Sequence, residues 1–304
     1  MRILLTGAAG QLGTELIPLL AAKGSVTATD RFTPAEPVER WEELDIGDTG
    51  KLELLLKRLQ PELIVNAAAY TAVDLAETNP QTAFDVNATL PDSLARWARH
   101  NDARLIHYST DYVFDGKSSR PYRETDTPDP QSVYGDSKRA GECAIEASGC
   151  KYATLRTSWI YSSHGKNFVL TMLDLARKGI SLKVVDDQRG CPTWARNLAM
   201  ASCSVLENWQ RSVNGNSYGL FHYCDDQTIS WYDFAHTIFK LAVNSGLLDS
   251  EPELSPVPTT EFPQPAERPK SSALDSGRIA EVFEVSPASF KQSLQAVINE
   301  IGAR

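Results

Sequence analysis

The chain has 304 residues, of which 42% are hydrophobic and 23% charged, and its net charge is −9. That length carries one large or two moderate domains with a substantial core. The acidic balance argues against a nucleic-acid or membrane-surface binder, and no apolar run reaches the length of a membrane span.

The chain enters a strand-like segment at once, Arg2-Ile3-Leu4-Leu5, with no signal-peptide pattern, which points to the cytoplasm. A helical pattern follows through Leu16, Ile17, Leu19 and Leu20, then a strand at Val26-Thr27-Ala28-Thr29. Next come a helix near 52–59, a strand at Leu63-Ile64-Val65, a long helix over about 80–99 and a strand at Leu105-Ile106-His107-Tyr108. A helix bearing Tyr134 and Lys138 leads to a strand at Tyr152-Ala153-Thr154-Leu155. Strand–helix alternation with fully apolar strands predicts an α/β fold, a Rossmann-like doubly wound parallel sheet covered on both faces. The second half is less regular, with helices near 168–177, 195–208, 231–244 and 289–301 and a proline-rich stretch at 251–269. The expected organisation is a dinucleotide-binding domain at 1–155, to which about 190–225 return. A second, smaller α/β substrate domain takes 156–189 and 226–304. The proline-rich stretch reads as an ordered loop over a binding cleft. Cys143, Cys150, Cys191, Cys203 and Cys224 form no CxxC pair and no metal-ligand spacing, so they read as free, mostly buried thiols.

Gly7, Gly10, Gln11, Leu12 and Gly13 lie in the turn between the first strand and its helix. Glycines let backbone amides approach a pyrophosphate, and a helix N-terminus favours its charge. Glycines alone also suit a structural turn, but Asp30 follows at the end of the second strand, where an acid accepts from the ribose hydroxyls. Asp30 favours NADH, and Arg31 beside it offsets the repulsion of a 2′-phosphate, so NADPH is tolerated. Asp45 and Ile46 are further candidates on the cofactor side. Ala67, Ala68 and Ala69 leave room for a flat cofactor at a strand's carboxyl end, although tight packing alone also uses small residues.

Thr110 and Asp111 end another strand, at the edge where open α/β sheets bind ligands. Tyr134 and Lys138 share one helix face. A cation held beside a phenol lowers its pKa and makes it a usable proton carrier near neutral pH.

The GxxGxxG loop, the strand-end Ser109 and Thr110, and the YxxxK pair together resemble the extended short-chain dehydrogenases/reductases. The tracts Asn66 to Asp74, Tyr108 to Phe114 and Arg156 to Tyr161, with Asp187-Gln188, Pro192-Thr193 and Arg268-Pro269, narrow this to the dTDP-4-dehydrorhamnose reductases, along essentially the whole chain. The resemblance implies reduction of the C4 ketone of dTDP-4-dehydro-L-rhamnose to dTDP-L-rhamnose, the last step towards a sugar of bacterial surface polysaccharides. It assigns Thr110, Tyr134 and Lys138 to catalysis, and Thr110, Asp111, Trp159 and Arg268 to the dTDP-keto-sugar. Arg268 would hold the diphosphate, as an acidic protein needs a fixed cation for it; a surface ion pair also explains an arginine, and core packing also explains Trp159. Some relatives bridge subunits through a magnesium ion on glutamates. Here Glu15 is suitably placed, but Arg196 stands where a second acid is needed, so no metal is expected and a homodimer stays open. Two alternatives remain: a reductase of another nucleotide-linked 4-keto-deoxysugar, and a non-catalytic NADP-binding regulatory subunit of methionine adenosyltransferase.

Overall fold

The computed structural model describes residues 1–34, 38–211 and 217–303. The first half runs β1 (Arg2–Thr6), α1 (Gln11–Ala21), β2 (Ser25–Asp30), β3 (Trp41–Glu43), α2 (Thr49–Leu59), β4 (Leu63–Asn66), α3 (Val73–Thr78), α4 (Pro80–Phe84), α5 (Leu90–His100), β5 (Arg104–Thr110), α6 (Val133–Ser148) and β6 (Lys151–Thr157). The second half adds β7 (Ile160–Tyr161), α7 (Phe168–Arg177), β8 (Leu182–Val185), β9 (Arg189–Gly190), β10 (Thr193–Trp194), α8 (Ala195–Arg211), β11 (Gly219–His222), β12 (Ile229–Ser230), α9 (Trp231–Asn244), β13 (Leu254–Val257), α10 (Gly277–Phe283) and α11 (Phe290–Gly302).

A seven-stranded parallel sheet forms the centre, in the order β11-β6-β5-β4-β1-β2-β3. Its central strands carry apolar runs, Ile3-Leu4-Leu5 and Leu63-Ile64-Val65, because both faces are covered there. Leu5, Val65, Ile106 and Leu155 face α1 and α8, whereas Leu4, Ile64 and Leu105 face α2 and α5. Strand order reverses between β1 and β4, the switch point beyond whose carboxyl ends open α/β sheets bind ligands. The helix that carries Tyr134 begins where Ser132 accepts from the Gly135 amide and ends at Gly149, whose φ of 65° suits glycine.

A separate aromatic core joins α7, α9 and α11 through Tyr161, Phe234, Phe239 and Phe290. Its strands are two to four residues long, which is why the sequence pattern showed mainly its helices. Segment 195–222 lies with the sheet, as α8 packs on α1 and β11 pairs with β6, although 212–216 fall outside the described residues. Against the assignment of all of 226–304 to the substrate side, α10 packs with the sheet through Ile279 and Phe283. The helix expected over 80–99 is also interrupted. A π-turn at Asp85–Thr89 separates α4 from α5, just before Pro91, which has no amide to give the helix. The turn buries Asn87, which is bonded to the backbone of Tyr70 and to Ser137. The proline-rich stretch includes β13, which pairs with β8, and then runs on to α3. No helix among the described residues is long and apolar enough to cross a membrane.

Candidate active site

At the end of β1 the backbone turns at Gly7, where φ is +66°. A Cβ there would lie 2.5 Å from the Ala67 carbonyl carbon and from the Ala68 nitrogen, and one at Gly13 would lie 2.2 Å from the Gly7 oxygen. The loops after β1 and β4 therefore touch through glycine backbone, and Ala67, Ala68 and Ala69 are all half-buried. Gly10 caps α1 without a side chain, and no acid occupies the first turn, so its amides are free of a competing carboxylate. Asp30 accepts from the Ala9 amide at 3.0 Å and from the Arg31 amide at 2.7 Å, which ties the end of β2 to the glycine loop. Leu44 donates to the Asp30 carbonyl, so the exposed Asp45 and buried Ile46 lie next along the same edge. This cradle, which any larger residue would fill, fits a dinucleotide.

Two side chains of the glycine loop point elsewhere. Leu12 is buried in the core. Gln11 accepts from Ser162 at 3.0 Å and from Asn167 at 2.9 Å, clasping α1 to the 162–167 loop.

Register places the next group. Thr110 is the last residue of β5 and pairs with Thr157 of β6. Its hydroxyl donates to Asp111 at 3.0 Å, accepts from the Tyr112 amide and contacts the phenol of Tyr134. Tyr134 is 9% exposed and Lys138 2%, on the same face of α6. Tyr112, which the sequence reading missed, stands edge-on to Tyr134 with ring centroids 5.5 Å apart.

The pKa coupling anticipated from YxxxK is not what the chain's own groups produce. The Lys138 ammonium donates to the Tyr108 carbonyl at 2.6 Å. Burial pushes the Tyr134 phenol up to about 12; the Thr110 hydroxyl offsets part of this, while the Asp111 charge adds to it. Burial also brings Lys138 down to about 8, against the pull of Glu142. Asp111, 2% exposed, is pushed up to about 6 by burial, with the hydroxyls of Ser272 and Thr110 opposing.

Two sugar-side candidates come from farther along the chain. Trp159 holds a φ of +47°, stacks on Trp231 at 3.5 Å between centroids and covers Gly190, where a Cβ would lie 2.4 Å from its ring. No sequence signal singled out Trp231 or Gly190. Arg268 makes two bonds to Asp74, at 3.0 and 2.9 Å, so the proline-rich segment is pinned to α3. Burial opposes the Arg268 charge, and Asp74 outweighs it.

Arg196 does not stand apart from Glu15. It donates to Glu15 at 2.7 Å, also pairs with Glu300, and lies over the Trp194 ring. Among the described residues, no group of three or more His, Cys, Asp or Glu side chains is arranged to hold a metal.

The family described as RmlD substrate binding domain matches residues 1–303. The chain belongs to that family. It is 39% identical over 301 residues to a dTDP-4-dehydrorhamnose reductase of Aggregatibacter actinomycetemcomitans, covering 97% of this chain and 98% of that one. A crystal structure of a dTDP-4-dehydrorhamnose reductase from Clostridium acetobutylicum superposes with a TM-score of 0.88 at 37% identity, covering 99% of this chain and 100% of that chain. The Bacillus anthracis dTDP-4-dehydrorhamnose reductase in complex with NADP gives 0.85 at 31% identity, covering 98% and 99%. These likenesses span both the sheet and the aromatic unit.

Proposed function

We propose that this protein is an NAD(P)H-dependent oxidoreductase that reduces the C4 ketone of dTDP-4-dehydro-L-rhamnose to dTDP-L-rhamnose. The observation that carries this reading is one constellation: the Tyr134 phenol against Thr110, with Lys138 buried one turn along the same helix face. It lies at the carboxyl edge of a sheet whose glycine cradle fits a dinucleotide. The full-length likeness to relatives bearing that enzyme's name supports the substrate class.

Gly7, Gly10, Gly13 and the first amides of α1 would hold the pyrophosphate, and Asp30 the adenosine ribose. Asp45 and Ile46 would border the adenine side, and Ala67 to Ala69 the flat ring system. Bound NAD(P)H supplies a hydride to the ketone carbon. Thr110 would turn its hydroxyl from Asp111 to donate to the ketone oxygen, where charge develops. Tyr134 gives that oxygen its proton. Burial keeps that phenol in its protonated form. Lys138 carries its charge to the same edge and would hold the nicotinamide ribose. Asp111 and Trp159 line the sugar side. Arg268 faces the diphosphate, with Asp74 holding its guanidinium until the substrate competes for it.

The test is NADH and NADPH oxidation by the purified protein with dTDP-4-dehydro-L-rhamnose, followed by NMR of the product sugar. Formation of dTDP-L-rhamnose supports the reading. Absence of turnover together with tight binding to an adenosyltransferase overturns it.

A further inference from the structure

Tyr134, Lys138 and Glu142 stand at i, i+4 and i+8 of α6 and line one face of it. Glu142 is as deeply buried as the other two, at 4% exposed. Arg156 of β6 grips both its carboxylate oxygens at 2.7 Å, Nε to Oε1 and Nη2 to Oε2. Arg139 reaches Oε2 from the rim at 3.0 Å. Arg156 is itself fixed, over the Phe114 ring and 3.4 Å from His222 Nε2. The carboxylate is therefore held in one place, one turn beyond Lys138 and on the side away from Tyr134.

We propose that Glu142 is a positioning residue for the reaction: held by Arg156, it supplies the fixed negative charge that keeps the buried Lys138 ammonium charged where the Tyr108 carbonyl holds it. This rests on the role given to Lys138 above.

Among the described residues, Glu142 is the carboxylate whose charge acts on Lys138. From β5, His107 faces it as a neutral imidazole, because burial and then the Lys138 charge hold it well below its ordinary value. The Tyr108 carbonyl is a dipole, not a charge. From β6 comes Arg156, a second cation, and behind it His222 of β11, which burial and Arg156 bring down to about 3. The 3-10 turn at Asp111–Val113 offers Asp111 and Tyr112, of which Asp111 is engaged by Thr110. Asn87 of the π-turn bonds the neighbouring Ser137 and is uncharged, while Asp85 of that turn accepts from Gln81. Glu77 of α3 accepts from the Val133 amide. Asp92 and Arg96 of α5 pair with each other. Arg156 and Arg139 bond the Glu142 carboxylate directly, while Lys138 feels its charge from one turn away. Burial would raise Glu142, but the bonds and charge of Arg156 outweigh it and keep the carboxyl ionised.

A merely structural part, fastening α6 to β6, would leave the titration of Lys138 where it is. The test reads that ammonium directly in the full-length protein, by NMR of lysine labelled with nitrogen-15. The Lys138 signal is assigned by its loss in Lys138→Met. Glu142→Gln is expected to lower the Lys138 midpoint by about one pH unit. Glu142→Asp, which keeps the charge but withdraws it by one methylene, is expected to lower it by about half as much. The alkaline fall in NADH affinity, read by fluorescence, should move with the midpoint. An unmoved Lys138 midpoint in Glu142→Gln overturns the proposal, and in Glu142→Asp does so if the glutamine variant does not fold. The titration needs no substrate, so a failure of the C4-reduction reading would appear separately, as absence of turnover.

Discussion

The sheet and the aromatic unit place their candidate site residues by different means. In the sheet, hydrogen-bond register sets Thr110 at the end of β5, beside β6 and below the first turns of α6. In the aromatic unit, Trp159 is set by a stack on Trp231, and Arg268, on the segment beyond that unit, by an ion pair to Asp74. Positions fixed by register tolerate little movement, which suits proton and hydride transfer. Positions fixed by ring contact and one partner can exchange that partner, which suits gripping a nucleotide sugar. The two regions should therefore fail differently, the sheet in turnover and the aromatic side in substrate affinity.

The largest effect expected is on the sheet side. Tyr134→Phe should lower turnover by roughly 10²- to 10⁴-fold, while NADH binding measured by fluorescence stays close to wild type. Lys138→Met should lower turnover by a similar order and also weaken NADH by about tenfold, or about 1.4 kcal/mol; unchanged NADH affinity would detach Lys138 from the cofactor. On the other side, Arg268→Ala should raise KM for the dTDP-sugar by roughly tenfold to a hundredfold, as expected for a lost charge-assisted bond, with kcat little changed. A drop in kcat alone would break the contrast between the regions. Asp74→Asn, which frees the guanidinium from its competitor, should act on KM in the opposite sense, lowering it by roughly twofold to fivefold.

The smallest effect concerns pH and stability. Asp111 in the fold titrates near 6, above its ordinary value of 3.8, because burial disfavours its charge. Between those values the folded chain holds more protons than the unfolded one, so stability falls as pH rises through that window. Denaturant unfolding at several pH values should show that decline in wild type and its loss in Asp111→Asn.

How far the sequence could be read follows the same division. Five strands of the sheet were legible from their strand-like runs, and the glycine turn because of its place between strand and helix. Tyr134 and Lys138 were found from helical spacing read together with the glycine loop and the strand-end Thr110. Spacing could not show that the Lys138 ammonium donates to the Tyr108 carbonyl, since a backbone partner has no signature in side-chain pattern. That is why the pKa coupling was read wrongly and burial set the outcome instead. The turn from Gln11 was legible, but its side-chain partners Ser162 and Asn167 lie some 150 residues away. In the aromatic unit the helices had period and length, whereas two-residue strands such as Arg189–Gly190 have neither. β3, whose sequence is Trp41-Glu42-Glu43, lacks the apolar run that marked its neighbours.

The measurement that most directly tests the central claim is the fate of the hydride. With NADH carrying deuterium at both C4 positions of the dihydronicotinamide ring, and dTDP-4-dehydro-L-rhamnose as substrate, NMR of the product sugar should show deuterium at its C4. The signal should collapse in Tyr134→Phe while that variant still binds NADH. Deuterium that stays on the cofactor with the wild-type protein, or equal transfer in the two proteins, would contradict the account.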